Sequence, residues 1–220
     1  IKSDIKNAVK RYGFTQTYFV TLITMPSKVY EHIDIQRYRE HKTLKIAREL
    51  GVELGNNRYT FRYGDEDRKW VRMFLSEHKL DSEILVGLHV SGSTPNKSLP
   101  ADATHSLIKM LQDDGYKIVV FHSKGSYERD KDNLPHEEGV FHFVSDNLLH
   151  SAALIDQCQF LVCVDSGVGH IAAGLNKRLF SIFFKKMWMK NSLALGDDVH
   201  PYFYNGDLQD FIEHFLAFLA

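Results

Sequence analysis

From residue 84 onward, short apolar runs alternate with amphipathic ones. Ile84–Val90 (ILVGLHV), Tyr116–Phe121 (YKIVVF), Val140–Val144, Phe160–Val164 (FLVCV) and Arg178–Phe184 read as strands. The run Phe160–Val164 has no polar residue, which predicts a strand covered on both faces. Between the strands, apolar residues recur at helical spacing. Leu107, Ile108 and Leu111 place a helix over Asp102–Asp114, closed by Gly115, and Leu149, Ala152, Ala153 and Ile155 place another over Leu148–Gln157. A short helix is expected over Val168–Leu175. Leu208, Phe211, Ile212, Phe215 and Leu216 fall at i, i+3, i+4, i+7 and i+8, so Leu208–Leu219 closes the chain as an amphipathic helix. Strands alternating with helices predict a parallel sheet with helices on both faces.

Before residue 80 the pattern is more charged. Helices are expected over Lys2–Tyr12, Gln36–Leu50 (ended by Gly51) and Asp65–His78, with Trp70, Phe74 and Leu75 on one face of the last. Thr17–Thr24 is a strand candidate. The change of character near Lys79–Glu83 divides the chain into an N-terminal portion, 1–80, and a C-terminal Rossmann-like domain, 81–220.

Composition narrows the classes. At 220 residues, 44% hydrophobic and 25% charged, the chain has ordinary globular usage. Its formal charge of −1 gives no bulk attraction to nucleic acid or anionic lipid, so no nucleic-acid partner is expected. Two cysteines, Cys158 and Cys163, make no disulfide framework and lack zinc-knuckle spacing, which favours a reducing compartment. No apolar run approaches the ~18 residues of a membrane span, and the polar start Ile1-Lys2-Ser3-Asp4 is not a signal peptide. A cytoplasmic location is expected. The first residue is not Met, which leaves open that the chain is part of something longer.

In an open parallel sheet, ligands bind beyond the carboxyl ends of the strands. After the first strand comes Ser91-Gly92-Ser93-Thr94-Pro95-Asn96-Lys97-Ser98. Hydroxyls and backbone N–H groups donate to phosphate oxygens and a lysine adds a point charge, so this is either a phosphate loop or a plain polar one. It lacks the second glycine of a Walker A site. After Phe160–Val164 comes Asp165-Ser166-Gly167-Val168-Gly169-His170, small residues opening a helix. The first N–H groups of that helix are unpaired and carry the positive dipole end, which suits a diphosphate. Gly167 and Gly169 would let a ligand approach the backbone closely. Asp165 and Ser166 could equally be helix caps, and His170 either a ligand contact or a packed core histidine. After Tyr116–Phe121, His122-Ser123-Lys124-Gly125-Ser126-Tyr127-Glu128 could hold a base or a ribose, Glu128 accepting from sugar hydroxyls, or be a solvated loop. Twelve histidines include no HExxH pair, and neither GxSxG nor a complete GxGxxG is present. An NAD-dependent oxidoreductase is therefore a minor alternative. Trp188 with Met187 and Met189 is a candidate pocket lining or ordinary packing.

The string Asp165-Ser166-Gly167, His170, Ala172-Ala173 resembles the D-[ST]-G-x-x-H-[LI]-A-A signature of glycosyltransferase family 9, the ADP-heptose:lipopolysaccharide heptosyltransferases. Val86–His89 through Lys97-Ser98-Leu99-Pro100, Leu107–Phe121 and Leu148–Val164 are similar to further family segments in the same order, and His41–Val52 more faintly. The resemblance implies a GT-B type α/β architecture, a Rossmann-like parallel sheet with helices on both faces. Here a partial or reduced N-terminal α/β segment on the acceptor side precedes it. It implies an inverting, metal-independent transfer of a sugar, a heptose by analogy, from an ADP-sugar or other nucleotide sugar to a lipopolysaccharide core or similar glycan. The nucleotide sugar is substrate and no separate cofactor is expected. The site would lie on the inner face of the bacterial inner membrane, with room for peripheral membrane contact. By the same resemblance Ser91, Gly92 and Ser93 contact the diphosphate. Lys97 neutralises charge on the leaving group, Glu128 falls near the ribose, and Asp165, Ser166, Gly167, Val168 and His170 hold the diphosphate from the helix side. The alternative is a nucleotide-sugar-binding domain without turnover.

Departures from the pattern are specific. The family's opening strand and acidic loop, which supply a general base, have no counterpart, since Asp4 and Asp34 lie in other contexts. The Trp before Pro100 is Leu99, and a Gly-Pro after the last strand is replaced by Phe184-Lys185-Lys186.

Overall fold

The computed structural model describes residues 58–131, 134 and 136–220, with His41, Leu44 and Gly51. The elements expected over Lys2–Tyr12 and Thr17–Thr24, and all but His41 and Leu44 of Gln36–Leu50, lie outside the described residues. The described chain runs α1 (Asp65–Glu77), β1 (Leu85–His89), α2 (Ala101–Asp113), β2 (Lys117–His122), α3 (Lys124–Asp130), β3 (Val140–Val144), α4 (Leu148–Gln157), β4 (Phe160–Val164), α5 (Gly167–Gly174), β5 (Arg178–Phe183), α6 (Lys186–Ser192), β6 (Val199–Phe203) and α7 (Leu208–Leu219). A 3-10 turn, Pro95–Lys97, follows β1.

The six strands form one all-parallel sheet in the order β3-β2-β1-β4-β5-β6. Alternation of side chains sorts the strands' residues onto two faces. Val86, Leu88, Ile118, Val120, Phe160, Val162, Phe180 and Ile182 meet α2 and α7 through Leu107, Ile108, Leu111, Phe211, Phe215 and Phe218. Leu85, Val119, Phe121, Leu161, Cys163 and Leu179 meet α1, α4 and α5 through Val71, Leu75, Ala152, Ala153, Ile155, Ile171 and Ala172. This is the GT-B type Rossmann-like sheet, covered on both faces as expected. The stretch 58–80 is integral to this body. Tyr59 and Phe61 donate their N–H groups to the carbonyls of Leu195 and Gly174 at 3.0 and 2.8 Å, and Val71, Leu75 and Leu80 are buried in the core.

Helix boundaries follow local chemistry. Asn147 and Asp207 accept N–H bonds at the starts of α4 and α7. After α2, Gly115 takes φ +83, the left-handed conformation that glycine adopts without strain. Three elements beyond those expected appear. The loop expected after β2 is helical as α3, because the Ser123 hydroxyl accepts from the Ser126 N–H and starts a turn. α6 packs against β5 and β6. β6 carries Pro201, tolerated because β6 is an edge strand paired only with β5. Among the described residues no helix is long and apolar enough to cross a membrane.

Candidate active site

The strand order reverses direction between β1 and β4, both central and both starting connections that leave toward opposite edges. Loops leaving such a pair diverge and open a crevice. Here the crevice is a cavity of about 630 Å³, a size suited to a nucleotide. Its wall takes Ser91, Gly92 and Ser93 from the corner after β1 and Asp165, Ser166, Gly167 and Val168 from the corner after β4. Ser123, Gly125, Ser126 and Arg129 enter from α3 and its approach, and Ser145, Leu148 and Ser151 from the β3–α4 side. The two glycine- and hydroxyl-bearing corners therefore share one cavity.

The corner after β1 is tightly built. Gly92 N–H donates to the Ser98 hydroxyl at 3.0 Å, and a Cβ at Gly92 would lie 2.6 Å from the Lys97 Cβ. Only glycine lets the loop fold back on the 3-10 turn there. The carbonyls of Gly92 and Ser93 accept from Arg129, the Gly92 bond at 3.0 Å. The same guanidinium grips Asp130 through Nε and Nη2, each at 2.7 Å, and Ser91 donates to that carboxylate as well. Arg129 first, with Ser91 adding to it and burial opposing them, holds the Asp130 carboxyl below the usual carboxylate range. Asp130 thus ties α3 to the β1 corner, and Arg129 is the cation on the cavity wall.

At the corner after β4, Ser166 precedes α5 in an extended conformation and makes no side-chain cap bond. The first amides of α5 have no partner within the helix and stand at the cavity through Gly167 and Val168. Gly169 is different. It is buried, and a Cβ there would lie 2.6 Å from the Cys163 sulfur. Its smallness serves the packing of α5 on β4 instead of ligand approach.

Three expected residues lie off the cavity wall. Lys97 sits on the rim with Nζ 4.3 Å from the Trp188 ring centroid. Glu128 points into its own ion pair, 2.7 Å from Lys131 Nζ. His170 is buried, its ring edge-on to Tyr59 with centroids 5.2 Å apart. Two histidines do line the cavity. His89 donates from Nδ1 to the Phe121 carbonyl at 2.8 Å, and burial lowers its pKa, so it is neutral with Nε2 as acceptor. His122 Nε2 lies 3.0 Å from His142 Nδ1. Burial first and the neighbouring His142 second push the His122 pKa down to about 4. Its Nδ1 is buried with no hydrogen-bond partner. A neutral ring whose Nε2–H donates to His142 leaves that Nδ1 as a bare acceptor, the less costly of the two tautomers. Arg129 was not legible as a wall residue because the helix carrying it was not; the Ser123-x-x-Ser126 cap was the available signal.

A doubly wound parallel sheet with a serine-bearing cavity at its switch point is the architecture of Rossmann-like and GT-B domains. The sequence profile of glycosyltransferase family 9 (heptosyltransferase) matches residues 16–188, and the chain belongs to this family. Solved structures agree on the fold. A family 9 glycosyl transferase from Veillonella parvula is 20% identical, with a TM-score of 0.67 over 80% of this chain and 54% of its own. The Escherichia coli heptosyltransferase WaaC with ADP is 18% identical, TM-score 0.60, over 83% and 58%. The Escherichia coli ADP-heptose lipopolysaccharide heptosyltransferase II is 20% identical, TM-score 0.59, over 73% and 53%. The chain spans little more than half the length of these relatives. No curated protein sequence matches it.

Proposed function

We propose that this chain binds the diphosphate of a nucleotide-activated sugar and takes part in its inverting, metal-independent transfer to a lipopolysaccharide-type glycan. The observation that carries the reading is the single cavity shared by the corners Ser91–Ser93 and Asp165–Val168. The diphosphate lies between them. The open amides of α5 and the Ser93 hydroxyl donate to its oxygens, while the Ser91 hydroxyl, committed to Asp130, shapes the corner. The base and ribose extend toward β2, where Ser123, Ser126, Ser145 and the neutral His122 ring line the wall. The sugar then lies on the β5 side.

Departure of the nucleoside diphosphate builds negative charge where these donors already point, and such preorganised donors stabilise a leaving group without reorganising. Arg129 stands on the wall, and Lys97 reaches from the rim; for Lys97 to meet the leaving group it must leave the Trp188 ring. The general base that the resemblance implies belongs N-terminal to this domain. The test is calorimetric titration with ADP, UDP and GDP, followed by a transfer assay with ADP-heptose and a lipopolysaccharide-core acceptor. Nucleoside diphosphate binding with product formation is expected. Binding without product points to a donor-binding domain without turnover, and no binding overturns the reading.

A further inference from the structure

The segment after β5 departs from the family pattern in the sequence, and the structure gives that departure a place. Lys185 and Lys97 reach the same indole, their Nζ atoms 4.6 and 4.3 Å from the Trp188 ring centroid, so the two ammoniums lie less than 9 Å apart. Lys186 Nζ stands 5.3 Å from the Phe203 ring, and Lys190 follows in the last turn of α6. Among the described residues none of these four lysines forms an ion pair. No Asp or Glu occurs between Asp165 and Asp197.

Two ammoniums gathered on one indole, with no carboxylate among the described residues paired to either, make a local concentration of positive charge, which an anion between them would neutralise. The place of the cluster limits which anion. Lys97 is packed by its own backbone on Gly92, a cavity-wall residue, while its side chain leaves toward β5. A diphosphate at the β1/β4 corners with its base toward β2 puts the sugar, not the nucleotide, beside Lys185. Trp188 is only part-exposed and is covered by two ammoniums, which leaves Met187 as the large apolar side chain exposed on α6 and argues against insertion into lipid.

We propose that Lys185, stationed on Trp188 beside Lys97, binds a carboxylate or phosphate group carried on a sugar that reaches from the cavity toward β5. The word sugar rests on the transfer reading above; the anion site itself does not. The anion belongs either to the acceptor or to the transferred sugar, and two arms of one calorimetric experiment separate these. In the first, glucose 6-phosphate is titrated against glucose in saturating ADP. In the second, UDP-glucuronate is titrated against UDP-glucose.

The expected result is a preference for the anionic ligand of at least fivefold in one arm, lost in Lys185→Gln and retained in Lys185→Arg. The first arm showing it assigns the anion to the acceptor, the second to the donor sugar. Lys185 is exposed, and equal melting temperatures of parent and variants establish that folding is not the cause. If ADP binds and neither arm shows a Lys185-dependent preference, the inference is overturned while the nucleotide site stands. Lys185-dependent binding to anionic phospholipid vesicles without glucose 6-phosphate binding overturns it in favour of a membrane surface. If ADP does not bind but a Lys185-dependent preference persists, the transfer reading fails and the anion site remains.

Discussion

Replacing Arg129 by Ala removes the clasp between α3 and the β1 corner and takes the cation off the cavity wall. The guanidinium makes two 2.7 Å bonds to Asp130 and one 3.0 Å bond to the Gly92 carbonyl. Both side chains are partly solvated, so the effect on folding is modest, about 1 kcal/mol. The effect on ligand binding is larger. Arg129 is the cation on the cavity wall, and a charge-assisted bond from it to a phosphate oxygen is worth about 1.5–3 kcal/mol. The expected loss of ADP affinity is therefore about ten- to a hundredfold. Asp130 lines a neighbouring pocket instead of this cavity, so the double variant Arg129→Ala/Asp130→Ala should bind ADP no better than the single one. Calorimetric titration of ADP into the parent, the single and the double variant, with thermal melts alongside, measures both quantities. Binding of ADP to Arg129→Ala within twofold of the parent would refute the placement of the diphosphate at the β1 corner. A double variant that recovers ADP affinity would show that the Asp130 charge, and not the lost Arg129 cation, sets the loss.

Gly92→Ala drives a methyl against the Lys97 carbonyl oxygen and to 2.8 Å from its carbonyl carbon, a contact with backbone that cannot yield. Overpacking of this kind costs about 1–3 kcal/mol, and ADP affinity should fall by at least tenfold by calorimetry. Gly169→Ala meets the Cys163 sulfur at 2.6 Å inside the core, so its loss should fall on the melting temperature, with ADP affinity in the surviving folded protein little changed. His122, with a native pKa of about 4 against the ordinary 6.5, stays neutral when folded while the unfolded chain takes up a proton. The contribution is complete above about pH 6.5 and is lost as pH falls toward 4, amounting to about 3 kcal/mol. Urea denaturation at pH 7.0 and pH 4.5 should show this drop in the parent and a smaller one in His122→Asn.

The sheet was legible because its strands are covered on both faces. Phe160–Val164 reads as unbroken apolar text for the reason that all five residues are buried. The helices α4 and α7 were legible from spacing, since Ala152, Ala153 and Ile155, and Phe211 and Phe215, all face the core. Short exposed elements were not. α3 has no buried residue, so no apolar period announces it, and β6 hides behind Pro201. The same blindness extended to the site. The two corners were readable as small-residue loops at strand ends. Arg129 was not, because it reaches the cavity from a solvent-facing helix, and neither was the drift of Lys97 toward an indole ninety residues further on. Side-chain direction at the rim depends on tertiary neighbours that sequence spacing does not encode.

A crystal structure of the chain with ADP tests the central claim most directly. The account predicts the two phosphates between the β1 and β4 corners, with oxygens about 3 Å from the Gly167 and Val168 amides and the adenine toward Ser123 and Ser145. Phosphates bound away from both corners, or reaching one and not the other, would contradict it.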